Sequence, residues 1–116
     1  VLVTTNMFGD ILSDLASELC GGLGLAGSLN AGPATAAAQA QHGSAPDIAG
    51  KDRANPASLI LSLSMLLRHL GEGTAADRLE AAMARCLADP STRTTDLGGA
   101  LGTRAFTDAL IQEITT

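Results

Sequence analysis

The sequence predicts an α/β fold, rich in helix and short of strand. Three observations lead there. Four stretches place apolar residues at helical spacing, and at most two or three short stretches read as strand. So few strands cannot form a stable sheet without further neighbours or a packed face. The chain also opens at Val1, inside strand-like sequence and without Met. We therefore expect a piece of a longer protein, with helices packed on a sheet whose remaining strands lie outside this chain.

Val1–Thr5 is β-branched and predicts a strand. Asn6 can cap a helix running to about Cys20, with Ile11, Leu12, Leu15 and Leu19 as its buried stripe, and Gly21-Gly22 ends it. Residues 23–34 are a Gly-rich connection. In residues 35–41, Ala favours helix, but the Pro33 and Gly43 boundaries tip the reading to a short strand. A long loop follows. Asn55 can then cap, and Pro56 can occupy the first turn, of a helix carrying Leu59, Ile60, Leu63, Leu66, Leu67 and Leu70. That helix is apolar over most of its surface and is expected to be deeply buried. Thr74 and Asp77 resemble a capping box opening a helix that buries Leu79, Ala82, Met83, Cys86 and Leu87. Thr103 can cap a last helix with Phe106, Leu110 and Ile114 on one face.

The chain is long enough for one small domain: 116 residues, 46% hydrophobic. Its net charge of −5 argues against nucleic acid or anionic membranes as partners. Only Phe8 and Phe106 are aromatic, so base stacking on aromatics is not on offer. No apolar run is long enough to span a bilayer. Cys20 and Cys86 have neither zinc spacing nor a disulfide framework, and the expectation is a cytoplasmic protein with two buried thiols.

Two features carry chemistry. Asp10 and Asp14 stand at i and i+4 in the first helix, so both carboxylates project to one side. Hard oxygen donors of this kind suit Mg²⁺ or Mn²⁺; the competing reading is a solvated acidic pair on an outer face. The second feature is the loop His42-Gly43-Ser44-Ala45-Pro46-Asp47-Ile48-Ala49-Gly50-Lys51, closed by Asn55-Pro56. Its amides can face a phosphate or ribose, Asn55 can offer both amide atoms to an adenine edge, and Asp47 can accept from both ribose hydroxyls while repelling a 2′-phosphate. The competing reading is a plain turn, since Pro-Asp and Asn-Pro are turn dipeptides. Gly22-Leu23-Gly24-Leu25-Ala26-Gly27 matches G-x-G-x-x-G, but it follows a helix rather than a strand and is rejected as a dinucleotide fingerprint. Arg93 and Asp96 can pair or touch a ligand in the late loop.

Taken in order, Thr5–Asp14, Gly21–Gly24, His42–Lys51 with Ala54-Asn55-Pro56, and Thr95–Gly99 resemble the isocitrate/isopropylmalate dehydrogenase family across nearly the whole chain. The resemblance implies a partial fold of that family, helices on a mixed sheet, in three parts: a metal-aspartate helix at 6–20, a nucleotide loop at 42–56 and C-terminal helices at 56–115. It implies a β-decarboxylating oxidation of a 3-substituted malate of the isocitrate, homoisocitrate or 3-isopropylmalate type. Asp10 and Asp14 would bind Mg²⁺ or Mn²⁺ on the 2-hydroxy acid substrate. His42, Gly43, Ser44, Ala45, Asp47, Ile48 and Asn55 would bind the adenosine half of the cofactor. NADP-using relatives carry a basic residue where Asp47 stands and Tyr where Ile48 stands, so NAD is implied. The substrate arginines, the catalytic Tyr and Lys and a third metal carboxylate have no matching position. No catalytic residue is therefore expected within this chain, and alone it should be inactive.

The resemblance also implies a homodimer or larger oligomer with the site at the junction of two subunits. Gln39 departs from a frequent Glu, and Asp52-Arg53 from a frequent Gly-Ile. The Asp96–Gly99 run leans to isocitrate or homoisocitrate members, the Met7–Ser17 run to isopropylmalate members. The alternative to an enzyme portion is a non-catalytic regulatory subunit or an inactive remnant of the same fold.

Overall fold

In the computed structural model, which describes residues 1–115, the helix Ala57–His69 (α2) is the element on which the others assemble. One side of it meets the helix Gly73–Ala88 (α3), and the strands Gly27–Ala31 (β1) and Ala36–Ala40 (β2) also pack on it. The helix Thr103–Thr115 (α4) then closes on α3. The core is the cluster Ala57, Leu79, Ala82, Met83, Cys86, Phe106 and Leu110, drawn from α2, α3 and α4.

β1 and β2 form an antiparallel hairpin with Gly27 opposite Ala40 and Ala31 opposite Ala36, closed by Gly32 N–H donating to Thr35 O at 2.8 Å. This is the sheet of the described residues, and its two strands run antiparallel. Nothing in Gly-Ser-Leu-Asn-Ala favours a strand, so β1 was hidden within the expected connection at 23–34. It forms because of what backs it. Ser62 Oγ accepts from Ser28 N–H at 2.9 Å and donates to Gln39 O at 2.7 Å, sharing its proton with Ser58 O. Ser58 Oγ accepts from Gln41 N–H at 3.0 Å and donates to Ala26 O. Both serines are fully buried, one turn apart on α2, and they hold both strands of the hairpin. Gly27 makes the fit possible, because a Cβ there would lie 3.1 Å from Leu61 C, Ser62 N and Met65 Sδ.

Several expectations are corrected here. Val1–Thr5 is exposed and pairs with no strand, since no described strand lies beside it to accept its backbone groups. The helix Asn6–Leu19 (α1) forms as expected, but Thr5 rather than Asn6 precedes it and its predicted stripe is not buried. Ile11, Leu12, Leu15 and Leu19 are all exposed, because α1 touches the rest of the chain chiefly at the 3₁₀ turn Leu23–Leu25. α2 is likewise not deeply buried throughout: Ala57, Ser58, Ser62 and Ser64 face inward, while Leu59 is 54% and Leu70 65% exposed. Small residues face inward on α2 because the hairpin backbone approaches that closely. Cys86 is buried, and burial pushes its thiol pKa up, but Cys20 at the end of α1 is exposed.

The expected capping box of α3 is not made. Glu72 precedes the helix, and Asp77 instead accepts from Arg68 Nη2 at 2.9 Å. Arg68 also reaches Glu80 at 3.0 Å, and the buried Ser64 hydroxyl donates to the same carboxylate. The Ser64 hydroxyl, then Arg68, hold the Glu80 carboxyl below its ordinary range. A depressed carboxyl contributes stability that is present above its unfolded pKa and is lost as pH falls through the folded one. Glu80→Gln is expected to flatten the acid limb of stability between neutral pH and pH 3, read from urea midpoints. Because the pair is about half exposed, salt should shrink the difference. An unaltered acid limb would remove Glu80 from the account.

Candidate metal and nucleotide sites

Two openings hold the residues singled out above. Asp10 and Asp14 both line one cleft of about 750 Å³ with Asn6, Ser13, Asn30 and Gln41. The i, i+4 spacing therefore does bring the two carboxylates to one side. Asp14 Oδ1 accepts from Gln41 Nε2 at 3.3 Å. Neither carboxylate makes an ion pair with Lys or Arg among the described residues. Like charges one turn apart, exposed and without a cationic side chain, are a donor set that fits a hard divalent ion. Among the described residues no third His, Cys, Asp or Glu joins them, so the pair supplies part of a coordination shell and no more.

The second opening, of about 380 Å³, is lined by His42, Gly43, Ser44, Ala45, Ile48 and Asn55 together with Gly24, Asp52, Arg53 and Thr103. Its volume falls in the range that holds a small organic ligand. Six of the seven proposed nucleotide residues thus share one cavity. Asp47 is exposed and is not among the residues lining it, although Ile48 next to it is. Residues 46–51 turn through Ile48 N–H to Ala45 O and Lys51 N–H to Ile48 O, both 3.1 Å. Ala45 takes φ +41°, a left-handed conformation costing a non-glycine residue about 1–2 kcal/mol, and is held there by the loop around it. His42 Nδ1 donates to Gly43 O at 2.9 Å, so that nitrogen carries a proton.

Asn55 corrects one expectation. Its amide does not offer both atoms to a base. Oδ1 accepts from Ala57 N–H at 2.9 Å, capping α2, and Nδ2 donates to Asp96 Oδ2 at 2.9 Å. Asp96 therefore pairs with Asn55 rather than with Arg93, whose guanidinium donates to Leu87 O and Ala88 O at the end of α3.

Asp52 was missed as a site-building residue. At φ +53° its carboxylate accepts from Arg104 N–H at 2.9 Å and its carbonyl from Thr103 N–H at 3.2 Å, while Thr103 Oγ1 donates to Ala54 O. The loop is thereby fastened to the N-terminus of α4, where a carboxylate is favoured. A Cβ on Gly102 would collide with the Asp52 carbonyl, so only glycine permits this approach. The sequence signal was an Asp two residues before Ala54-Asn55-Pro56, legible only once α4 is known to begin beside it. The Gly22–Gly27 run leaves α1 and enters a 3₁₀ turn and β1, so it opens no helix, as expected.

The isocitrate/isopropylmalate dehydrogenase family model matches residues 1–114. The chain belongs to that family. Against the isocitrate/homoisocitrate dehydrogenase of Thermus thermophilus it is 55% identical over 98% of this chain and 34% of the relative. Against subunit 2 of the mitochondrial isocitrate dehydrogenase [NAD] of Kluyveromyces lactis it is 49% identical over 98% of this chain and 32% of the relative. The crystal structure of the isocitrate dehydrogenase of Methylococcus capsulatus superposes with a TM-score of 0.95 at 47% identity, covering all of this chain and 35% of that one. The chain thus spans about a third of the length of the dehydrogenases it matches, and its helices and hairpin are a fragment of the dehydrogenase fold.

Proposed function

We propose that this chain is the metal- and adenosine-binding portion of an NAD-dependent, Mg²⁺- or Mn²⁺-assisted oxidative decarboxylase of a 3-substituted malate. The observation that carries the reading is the joint occurrence, in one family member, of an acidic couple on α1 that has no Lys or Arg partner among the described residues and a loop cavity of about 380 Å³. Asp10 and Asp14 would hold the divalent ion, whose chemistry is Lewis-acid polarisation of the substrate's hydroxyl oxygen. The amides and small side chains of residues 42–45 leave room for a nucleotide, and Ile48 gives it an apolar wall. Asn55 shapes the cavity through its bonds to Ala57 and Asp96, and offers its remaining N–H and its backbone. Asp47, exposed one residue from the lining, would receive the ribose hydroxyls where the nucleotide extends past the cavity.

The K. lactis relative is named as an isocitrate dehydrogenase [NAD] subunit, which agrees with this choice. Phe8, Ile11 and Leu15 on α1 and Leu59 and Leu63 on α2 leave apolar surface that a second copy would cover, so the reading includes a homodimer. Two free thiols without a disulfide suit a cytoplasmic setting.

Asp47→Lys tests the cofactor choice. Removing the carboxylate takes away the ribose acceptor and the repulsion of a 2′-phosphate, and the ammonium attracts that phosphate. In the complete enzyme the ratio of kcat/KM for NAD to that for NADP should fall by about 100-fold or more, equivalent to roughly 2.7 kcal/mol. An unchanged ratio would remove Asp47 from cofactor selection.

A further inference from the structure

We propose that Gln41 is a positioning residue that couples the nucleotide cavity to the acidic pair of α1. The inference rests on the metal and nucleotide reading above and extends it to a residue which that reading does not use. Gln41 is fixed at both ends. Its backbone N–H donates to Ser58 Oγ at 3.0 Å, and Ser58 is fully buried, with its own hydroxyl donating to Ala26 O. Its side-chain Nε2 donates to Asp14 Oδ1 at 3.3 Å, within the cleft that Asp10 also lines. The next residue, His42, lines the nucleotide cavity. One residue therefore joins the packed body of the protein, through its backbone N–H, to the metal helix, through its side chain, and its backbone is continuous with the nucleotide loop.

The consequence is electrostatic and geometric. A neutral amide donating to one carboxylate oxygen fixes the plane of the Asp14 carboxylate and leaves the second oxygen for a cation. α1 has no buried residue, so packing of its own does little to set that direction. When a nucleotide orders residues 42–45, Gln41 moves with them only as far as Ser58 allows, and the Asp14 carboxylate is held more firmly in one orientation. Nucleotide and metal should then favour each other, and by linkage the factor must be equal in both directions.

The test, made on the complete enzyme that contains this chain, measures Mn²⁺ binding from the electron paramagnetic resonance of the free ion, and NAD⁺ binding by calorimetry, each with and without the other ligand. In the unaltered protein NAD⁺ should tighten Mn²⁺ about 5-fold or more, and Mn²⁺ should tighten NAD⁺ by the same factor. Gln41→Leu, and Gln41→Met as a second variant of similar length without a donor, should weaken Mn²⁺ several-fold and bring the coupling factor close to one. The helical circular dichroism should stay unchanged. Equal Mn²⁺ affinity and equal coupling in the variants would overturn the inference and leave the metal reading intact, as would a coupling factor of one in the unaltered protein. Failure of the unaltered protein to bind Mn²⁺ at all would overturn the metal reading, and the inference with it.

Discussion

Phe106→Ala is expected to bring this chain close to unfolding. Phe106 is the largest fully buried side chain among the described residues and sits within the cluster of Ala57, Leu79, Ala82, Met83, Cys86 and Leu110. Truncating a buried Phe to Ala costs about 3–5 kcal/mol, part lost transfer energy and part cavity. A small domain typically holds only about 5–15 kcal/mol in total. The cluster has little with which to refill the space, because its other members include two alanines and a cysteine. The effect should also reach the nucleotide loop. Phe106 lies in the first turn of α4, two residues after Arg104, which with Thr103 holds Asp52 through its N–H. Urea unfolding followed at 222 nm should show a sharply lower midpoint for Phe106→Ala. Phe106→Leu, which keeps most of the volume, should fall between the two. A midpoint within experimental error of the unaltered protein would mean that the core lies elsewhere.

Phe8, the other aromatic, marks where sequence periodicity stops being informative. α1 and α4 have similar amphipathic patterns, and both formed as helices where the apolar spacing placed them. Periodicity identifies a face that needs cover, but not what supplies it. For Phe106 the cover is α2 and α3; for Phe8, 57% exposed, no described element supplies it. The hairpin shows the opposite failure. Its strands carry almost no β propensity, and what holds them is Ser58 and Ser62, two of the buried polar residues of α2. A serine pair at i and i+4, followed in space by a glycine-rich segment, was the available signal.

At the site, local chemistry was legible where neighbours in sequence make the geometry. Asp10 and Asp14 share a cleft because a helix puts them there, and residues 42–45 with Ile48 wall a cavity because Gly and Pro forbid regular structure. What depended on distant segments was not legible. The commitment of Asn55 to Asp96 and the grip of Asp52 on α4 join residues 41 and 52 positions apart. An amide or carboxylate whose partner lies so far along the chain looks free until the fold is known.

Asp14→Asn separates the metal from the fold, because its two consequences have opposite signs. Without a divalent ion the substitution relieves the repulsion between Asp10 and Asp14, so the variant should be equally stable or more stable by a few tenths of a kcal/mol, about the size of a like-charge i, i+4 pair. The isosteric Asn keeps an oxygen to accept from Gln41, and position 14 is exposed, so packing should not change. With Mg²⁺ or Mn²⁺ the order should reverse. The unaltered protein gains stability as ion binds only its folded state, about 2.7 kcal/mol at a hundred times Kd, whereas the variant, left with the Asp10 carboxylate alone, gains little. Activity of the complete enzyme should fall in parallel by at least about 100-fold, since polarisation of a substrate oxygen by a metal is worth several kcal/mol. Melting temperatures of both proteins across a Mn²⁺ titration would decide the matter without a turnover assay. Parallel curves, with the ion raising both equally, would move the metal away from Asp14; curves that cross would tie it to this carboxylate.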